Sequence, residues 1–498
     1  MARYDGLFMF ILFFYYHFLI FTYSQENDDA ILVAANTGNL ELLRELRNEA
    51  SDDEAFRRKC ENIAEIEGLT CLHFAAGRGD IEICRFLIEE VKLNIDFKTD
   101  KGDSPLILAA LKGQFKAAKY LINRGADVKM GGYRGITCLH IAASNGNKEI
   151  MQLLLLKGAD IEAHSVWGTP LQCAAACGDV ESVRFLLSRG ADPNAVSPLS
   201  VSSLMSAIKC RSFELLEMLL KAKADPNKMS CGLSPLAMAA KENDTRFLRL
   251  LLAAGANPNS PTSKLLLPIE YAAEVGNAEG LAILFPVTET ASHSRYPDWS
   301  IRGIENRFHS ESAKTQIKEM QDGLFRILDE QGKDAVNRKD HARAVEMFSE
   351  AIYLQPDNAR LLSNRSLCWA NLNEPHFALY DAEVSFTRRP DWPKAYYRAG
   401  AACMLLKNYH KACGLYQKAS TLDPTNMQIK KALSLALKPA ILFHAERDPL
   451  NMATYLALQV QICNNFYVNL RDLAKKDPMK AMKILRKFLD NKDLHHLL

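Results

Sequence analysis

Apolar residues along this chain gather into short blocks with helical spacing, the blocks come in pairs, and the pairs repeat. Two of the repeats are "LTCLHFAAGRGDIEICRFLIE" (69–89) and "ITCLHIAASNGNKEIMQLLLLKGADI" (136–161), each a short apolar helix, a polar turn and a second helix. The same outline returns at 103–128, 168–194, 202–227 and 233–259, with weaker copies at 267–285 and 30–38. The first residue of a small doublet marks the register: Ala34, Ala75, Ala109, Ala142, Ala174, Ala207, Ala239 and Ala272. From Ala75 onward its spacing is 34, 33, 32, 33, 32 and 33. A helix pair of this size cannot bury its apolar face alone, so the pattern predicts a stack of helix pairs with one continuous core.

The punctuation of the repeat agrees. Thr70, Ser104, Thr137, Thr169 and Ser234 stand where a hydroxyl caps the first helix. Pro105, Pro170, Pro235 and Pro268 fit the first helical position, which needs no N–H. Gly125, Gly158, Gly190 and Gly255 fall where the second helix ends in a left-handed residue. These residues and the period resemble the ankyrin repeat over residues 27–290. The first unit lies 41 residues from the second, and the charged stretch 47–68 between them reads as an inserted loop or finger. His73 and His140 both follow Thr-Cys-Leu; the resemblance implies that they tie neighbouring turns together by hydrogen bonds, not that they hold a metal.

A second period follows the polar stretch 288–320, which reads as a linker running into a charged helix. Pro356, Pro390 and Pro424 are 34 apart, as are Ala344, Ala378 and Ala412. A frame opening at Phe325 places Gly332, Ala344, Phe348 and Ala351, and its third copy places Gly400, Ala412, Tyr416 and Ala419. The middle copy is looser, with Ser366, Ala382 and Ser385 at the corresponding points. This resembles three tetratricopeptide (TPR) units, 325–358, 359–392 and 393–426, in a domain reaching 438 with "MQIKKALSLALK" as its capping helix. The tail 439–498 contains a stripe of Met479, Met482, Leu485 and Phe488 among basic residues, a helix expected to pack on the end of the stack, with a membrane surface or a partner groove as the alternative. The fold class expected is all-α, two consecutive helical solenoids.

Composition narrows the function. A length of 498 residues, 48% hydrophobic and 24% charged, suits a globular chain of several domains. A net charge of +2 offers no case for a nucleic-acid partner. Twelve cysteines are scattered singly, as in a reduced compartment, and the lone Cys173 and Cys177 pair has no second pair with which to bind zinc. No cofactor or metal is expected. Residues 1–24 fit the picture least: 7–23 carry no charged residue and nine aromatics, so an anchor, a secretory signal and a gene-model artefact all stay open. Membrane association through 7–23, making the chain a membrane-anchored scaffold, is the alternative to a cytoplasmic protein. Phosphate-binding loops, dinucleotide fingerprints, His-Glu-x-x-His and Gly-x-Ser-x-Gly are all absent, and the repeats occupy the room a catalytic domain would need. An enzyme is not expected.

The resemblance implies protein partners. In co-chaperones of the TPR family, two Lys, two Asn and one Arg hold the Glu-Glu-Val-Asp carboxy terminus of heat-shock chaperones. Here "LLSNRSLCW" supplies Asn364, and "DWPKAYYRAG" supplies Lys394 and Arg398. The first unit departs from the pattern: "LDEQGK" puts Asp329 in place of the clamp lysine and Lys333 in place of the first asparagine. The candidate groove residues are therefore Asn364, Lys394, Arg398 and Lys333. The order of the two repeat types resembles the ankyrin–TPR proteins of plants, and implies an adaptor with a partner protein on the ankyrin half and a peptide in the TPR groove.

Overall fold

A computed structural model describes residues 30–61, 68–195, 197, 199, 201–289, 296 and 298–447. Among the described residues the fold is all-helical, and β-structure is limited to isolated bridges in the turns at Gly131–Thr137, Ser165–Gly168 and Ser230–Leu233. The apolar segment 7–23 and the tail stripe at 479–488 lie outside the described residues. No described helix is long and apolar enough to cross a membrane.

The described residues form two compact units: those up to 330 with 349–356, and 331–348 with those from 357 onward. The helix Glu311–Asn337 contributes to both.

In the first unit, helices pair as the pattern predicts, for example Pro105–Leu111 with Phe115–Asn123 and Pro170–Cys177 with Val180–Ser188. Ala34, Ala75, Ala109, Ala174, Ala207, Ala239 and Ala272 are fully buried, because only a methyl group fits between first helices this close. Ser104, Thr169 and Ser234 accept from the main-chain N–H three residues on, at 3.4, 3.4 and 3.1 Å, and Ser202 does the same at 3.3 Å. Gly125, Gly158, Gly190 and Gly255 adopt φ of 93, 85, 89 and 87° with open space where a Cβ would stand. What selects glycine there is the hand of the backbone, not crowding.

Successive units are also stitched along one edge. The side chains of Asn194, Asn227 and Asn259 accept from the N–H of Asp225, Asn257 and Glu289 at 2.7, 2.6 and 2.8 Å. Asn194 and Asn227 also donate onward to the carbonyls of Lys223 and Gly255 at 2.9 and 3.0 Å. The recurring Asp-Pro-Asn and Asn-Pro-Asn triplets are the sequence trace of this ladder.

Two stretches differ from their sequence reading. Within the inserted stretch 47–68, Asp53–Glu61 is a helix that buries Phe56 and Cys60, with the Phe56 ring centre 6.4 Å from that of Phe86. Within the polar stretch 288–320, Tyr296 and Ile304 are buried and Trp299 stacks on Phe285 at 5.3 Å. The Tyr296 hydroxyl donates to Glu270 of the last repeat. A polar average concealed a few well-placed aromatics, which turn the stretch into a lid on the end of the stack.

In the second unit, large and small residues face each other as the 34-residue frame demands. A Cβ on Gly332 would stand 2.6 Å from the Phe348 ring, and one on Gly400 2.7 Å from the Tyr416 ring. The middle copy has Ala382 where those rings sit, so a serine is accommodated: Ser366 donates to the Ala378 carbonyl at 2.7 Å. Beside it Arg365 grips Asp381 through two hydrogen bonds of 2.7 and 2.8 Å, with both side chains buried.

Candidate peptide-binding groove

Three of the four candidate residues sit on two adjacent helices. Asn358 caps the helix Ala359–Asn371 by accepting from the Leu361 N–H at 3.4 Å, and that helix carries Asn364. The helix Pro393–Leu405 packs beside it and starts with proline at its first position. Lys394 follows in the first turn, and Arg398 lies one turn later on the same face. Lys333 stands on the helix Glu311–Asn337, exposed to solvent, one turn after the buried Asp329.

The electrostatics of the pair are strained. Burial pulls the Arg398 guanidinium below its ordinary pKa, and its Nε is enclosed without a hydrogen-bond partner among the described residues. Lys394 is also lowered, first by desolvation and then by the charge of Arg398. Neither cation forms an ion pair among the described residues. On the helix of Asn364, burial pushes the Cys368 thiol up to about 12, against the opposing charge of Arg398. Cys368 in turn donates to the Asn364 carbonyl at 3.3 Å. Asn364 is half-buried, and Cys368 follows it by one turn on the same helix.

An aromatic wall stands beside Arg398: the Tyr397 ring lies 5.9 Å from the guanidinium and 5.6 Å from the Tyr416 ring. Sequence reasoning passed over this wall, though its signal was the Tyr-Tyr step beside Arg398. It also passed over the buried Arg365–Asp381 pair, signalled by an arginine inside an otherwise apolar helix face. Among the described residues no cluster could hold a metal ion.

The histidines behave as the resemblance implied. The main-chain N–H of Thr70 donates to His73 Nδ1 at 3.1 Å, and Nε2 donates across to the Asp103 carbonyl at 3.2 Å. His140 repeats this with Thr137 at 3.1 Å and Gly168 at 2.9 Å.

The family model for ankyrin repeats (3 copies) matches residues 30–131, 129–197 and 204–293, more than half of the chain. This is an ankyrin-repeat protein. A tetratricopeptide-repeat model matches residues 393–426 of the ankyrin-repeat protein, the helix pair that carries Lys394 and Arg398. The protein is 43% identical over 93 residues to the Hsp70-Hsp90 organizing protein of Triticum aestivum, a match covering 19% of this chain and 16% of that one. It is 38% identical over 105 residues to heat shock protein STI1 of Saccharomyces cerevisiae, covering 21% and 18%. It is 35% identical over 134 residues to ankyrin repeat domain-containing protein 53 of Mus musculus, covering 26% and 24%. The ankyrin-repeat protein therefore spans less than a quarter of the length of each of these relatives. Among solved structures, the ankyrin repeat domain of human ASB11 aligns over 43% of this chain and 96% of its own, at 25% identity and a TM-score of 0.39. Repeats of these two kinds make the chain a protein–protein interaction scaffold.

Proposed function

We propose that the ankyrin-repeat protein is a non-enzymatic, cytoplasmic adaptor: its ankyrin solenoid holds a partner protein while its TPR groove takes the acidic carboxy-terminal peptide of a heat-shock chaperone. The observation that carries this reading is the Lys394–Arg398 pair. A half-buried guanidinium whose Nε is enclosed, with an exposed ammonium one turn before it and no ion pair to either among the described residues, is a site that an incoming carboxylate neutralises. Asn364 supplies an amide that orients a terminal carboxylate, and Lys333 offers an exposed ammonium from its own helix. Similarity to two proteins whose names tie them to heat-shock chaperones supports the choice of peptide. The buried thiols support a reducing compartment: burial holds Cys84 and Cys138 up to about 12, and no disulfide joins the described cysteines.

The test is calorimetric titration of the full chain with a peptide ending Glu-Glu-Val-Asp. Binding at micromolar peptide is expected, weakened about tenfold or more by Asn364→Ala combined with Lys394→Ala. No heat at high micromolar peptide, or no effect of the double substitution, sinks the reading.

A further inference from the structure

The helix Glu311–Asn337 leaves one edge uncovered. Met320, Gly323 and Ile327 follow at spacings of three and four, so they share a face. Met320 is 44% exposed and Ile327 53%, with the half-buried Leu324 beside them. Leu328, Gly332 and Ala335 are buried on the next face round. Gly323 is the odd residue. A glycine inside a helix weakens it relative to alanine, and Gly332 has a reason for that in the Phe348 ring. Around Gly323 no atom lies within 4 Å of the place a Cβ would take, and its backbone is helical. Nothing among the described residues needs the missing side chain. A second helix laid across Met320 and Ile327 would need it, because side chains at a crossing set how closely two helices approach.

Charge chooses the kind of helix. Within about a quarter turn of the line through these three residues, the charged side chains are Glu319, Glu330 and Asp334, all exposed. The nearest cation, Arg326, lies beyond Glu319, and Lys314, Lys318 and Lys333 stand further round. The edge is therefore apolar with an acidic border. A second copy would set these acids against one another, and an anionic membrane would be repelled by them. A basic amphipathic helix fits, and the chain carries the sequence of one. Met479, Met482, Leu485 and Phe488 stand among Lys480, Lys483, Arg486 and Lys487, with no acid between Asp477 and Asp490. The stretch 448–478 that joins this segment to the described residues spans on the order of 100 Å when extended, ample reach for any edge of the molecule.

We propose that the tail segment 477–490 docks as a helix on this edge. Its apolar stripe covers Met320 and Ile327, its backbone comes close at Gly323, and its cations meet Glu319, Glu330 and Asp334.

The experiment follows hydrogen exchange of residues 479–489 in the full chain by mass spectrometry, each rate taken relative to that of the unstructured sequence. Slowed exchange is expected in the wild type. Gly323→Leu is the sharpest variant. Its Cβ meets no neighbour within 4 Å and leucine favours the helix, yet it should speed exchange of the tail about tenfold. Glu319→Lys with Glu330→Lys should do the same, and Lys483→Glu with Arg486→Glu on that background should restore slow exchange. Tail exchange as fast as that of an unstructured peptide in the wild type overturns the proposal, as does exchange unchanged by Gly323→Leu and by the acid reversal. Protection lost on dilution by about a hundredfold assigns the tail to a second copy. Protection seen only with phosphatidylserine vesicles assigns it to a membrane. Either result also overturns the proposal.

Discussion

His73, His140, Gln172 and Glu270 occupy one position in four different units, and all four accept a hydrogen bond from the main chain at the start of their helix. Gln172 shows that the job needs no imidazole: its Oε1 takes the Thr169 N–H at 2.9 Å and its Nε2 donates to the Ala195 and Val201 carbonyls. The histidines add a pH dependence. Burial lowers both to about 4, against 6.5 for an ordinary imidazole. The unfolded chain therefore binds protons as pH falls through 6.5, while the folded chain resists until about 4. Stability is full above the upper value and drains away between the two, by about 2 kcal/mol per histidine at pH 5. His73→Gln with His140→Gln should keep the hydrogen bonds and flatten the drop in urea midpoint between pH 7.5 and pH 5. An equally steep drop in that variant would contradict the assignment. Lys223 is a second residue-scale case, holding φ 67° where four other units have glycine. The left-handed strain relieved should exceed the entropy cost of glycine, so Lys223→Gly should stabilise by roughly 0.5–1 kcal/mol, read as a higher melting temperature.

At the scale of the helix pair, repetition made the sequence readable. A weak cap or a small residue means little once, but Thr70, Ser104, Thr169 and Ser234 in fixed register mean a helix start each time. Features that occur once had no such amplification. The helix Asp53–Glu61 and the aromatics Tyr296 and Trp299 pack on the stack through a few side chains inside polar stretches, so an average over the segment concealed them. The middle TPR unit was legible as loose but not as compensated. Its Arg365–Asp381 clasp joins the two helices where the other units use glycine against an aromatic ring. Arg365→Ala should cost about 3–5 kcal/mol by leaving a buried carboxylate alone, whereas Arg365→Leu with Asp381→Leu should cost much less. Denaturant unfolding of the three proteins checks this, and a double variant as unstable as the single one would contradict it.

For the whole molecule, the two repeat types and the all-α fold could be read from spacing, whereas the quality of the groove could not. Spacing puts Lys394, Arg398 and Asn364 in register; it does not say that Arg398 is desolvated beside the helix of Asn364, nor that Asp329 is buried while Lys333 faces solvent. Those facts depend on neighbours distant in the chain. The contact of Arg134 with the Trp167 ring has the same character, since the two meet only once the ankyrin units stack. In the proposed function, the TPR groove recognises a terminal carboxylate through Arg398 and its neighbours. It is tested most directly by a double-change cycle on the full chain: the Glu-Glu-Val-Asp peptide as free acid and as carboxy-terminal amide, against the wild type and Arg398→Ala. Amidation should weaken wild-type binding about tenfold or more and weaken Arg398→Ala binding little further, because the two changes remove the same interaction. Equal losses on amidation in both proteins, or none in the wild type, would contradict the account.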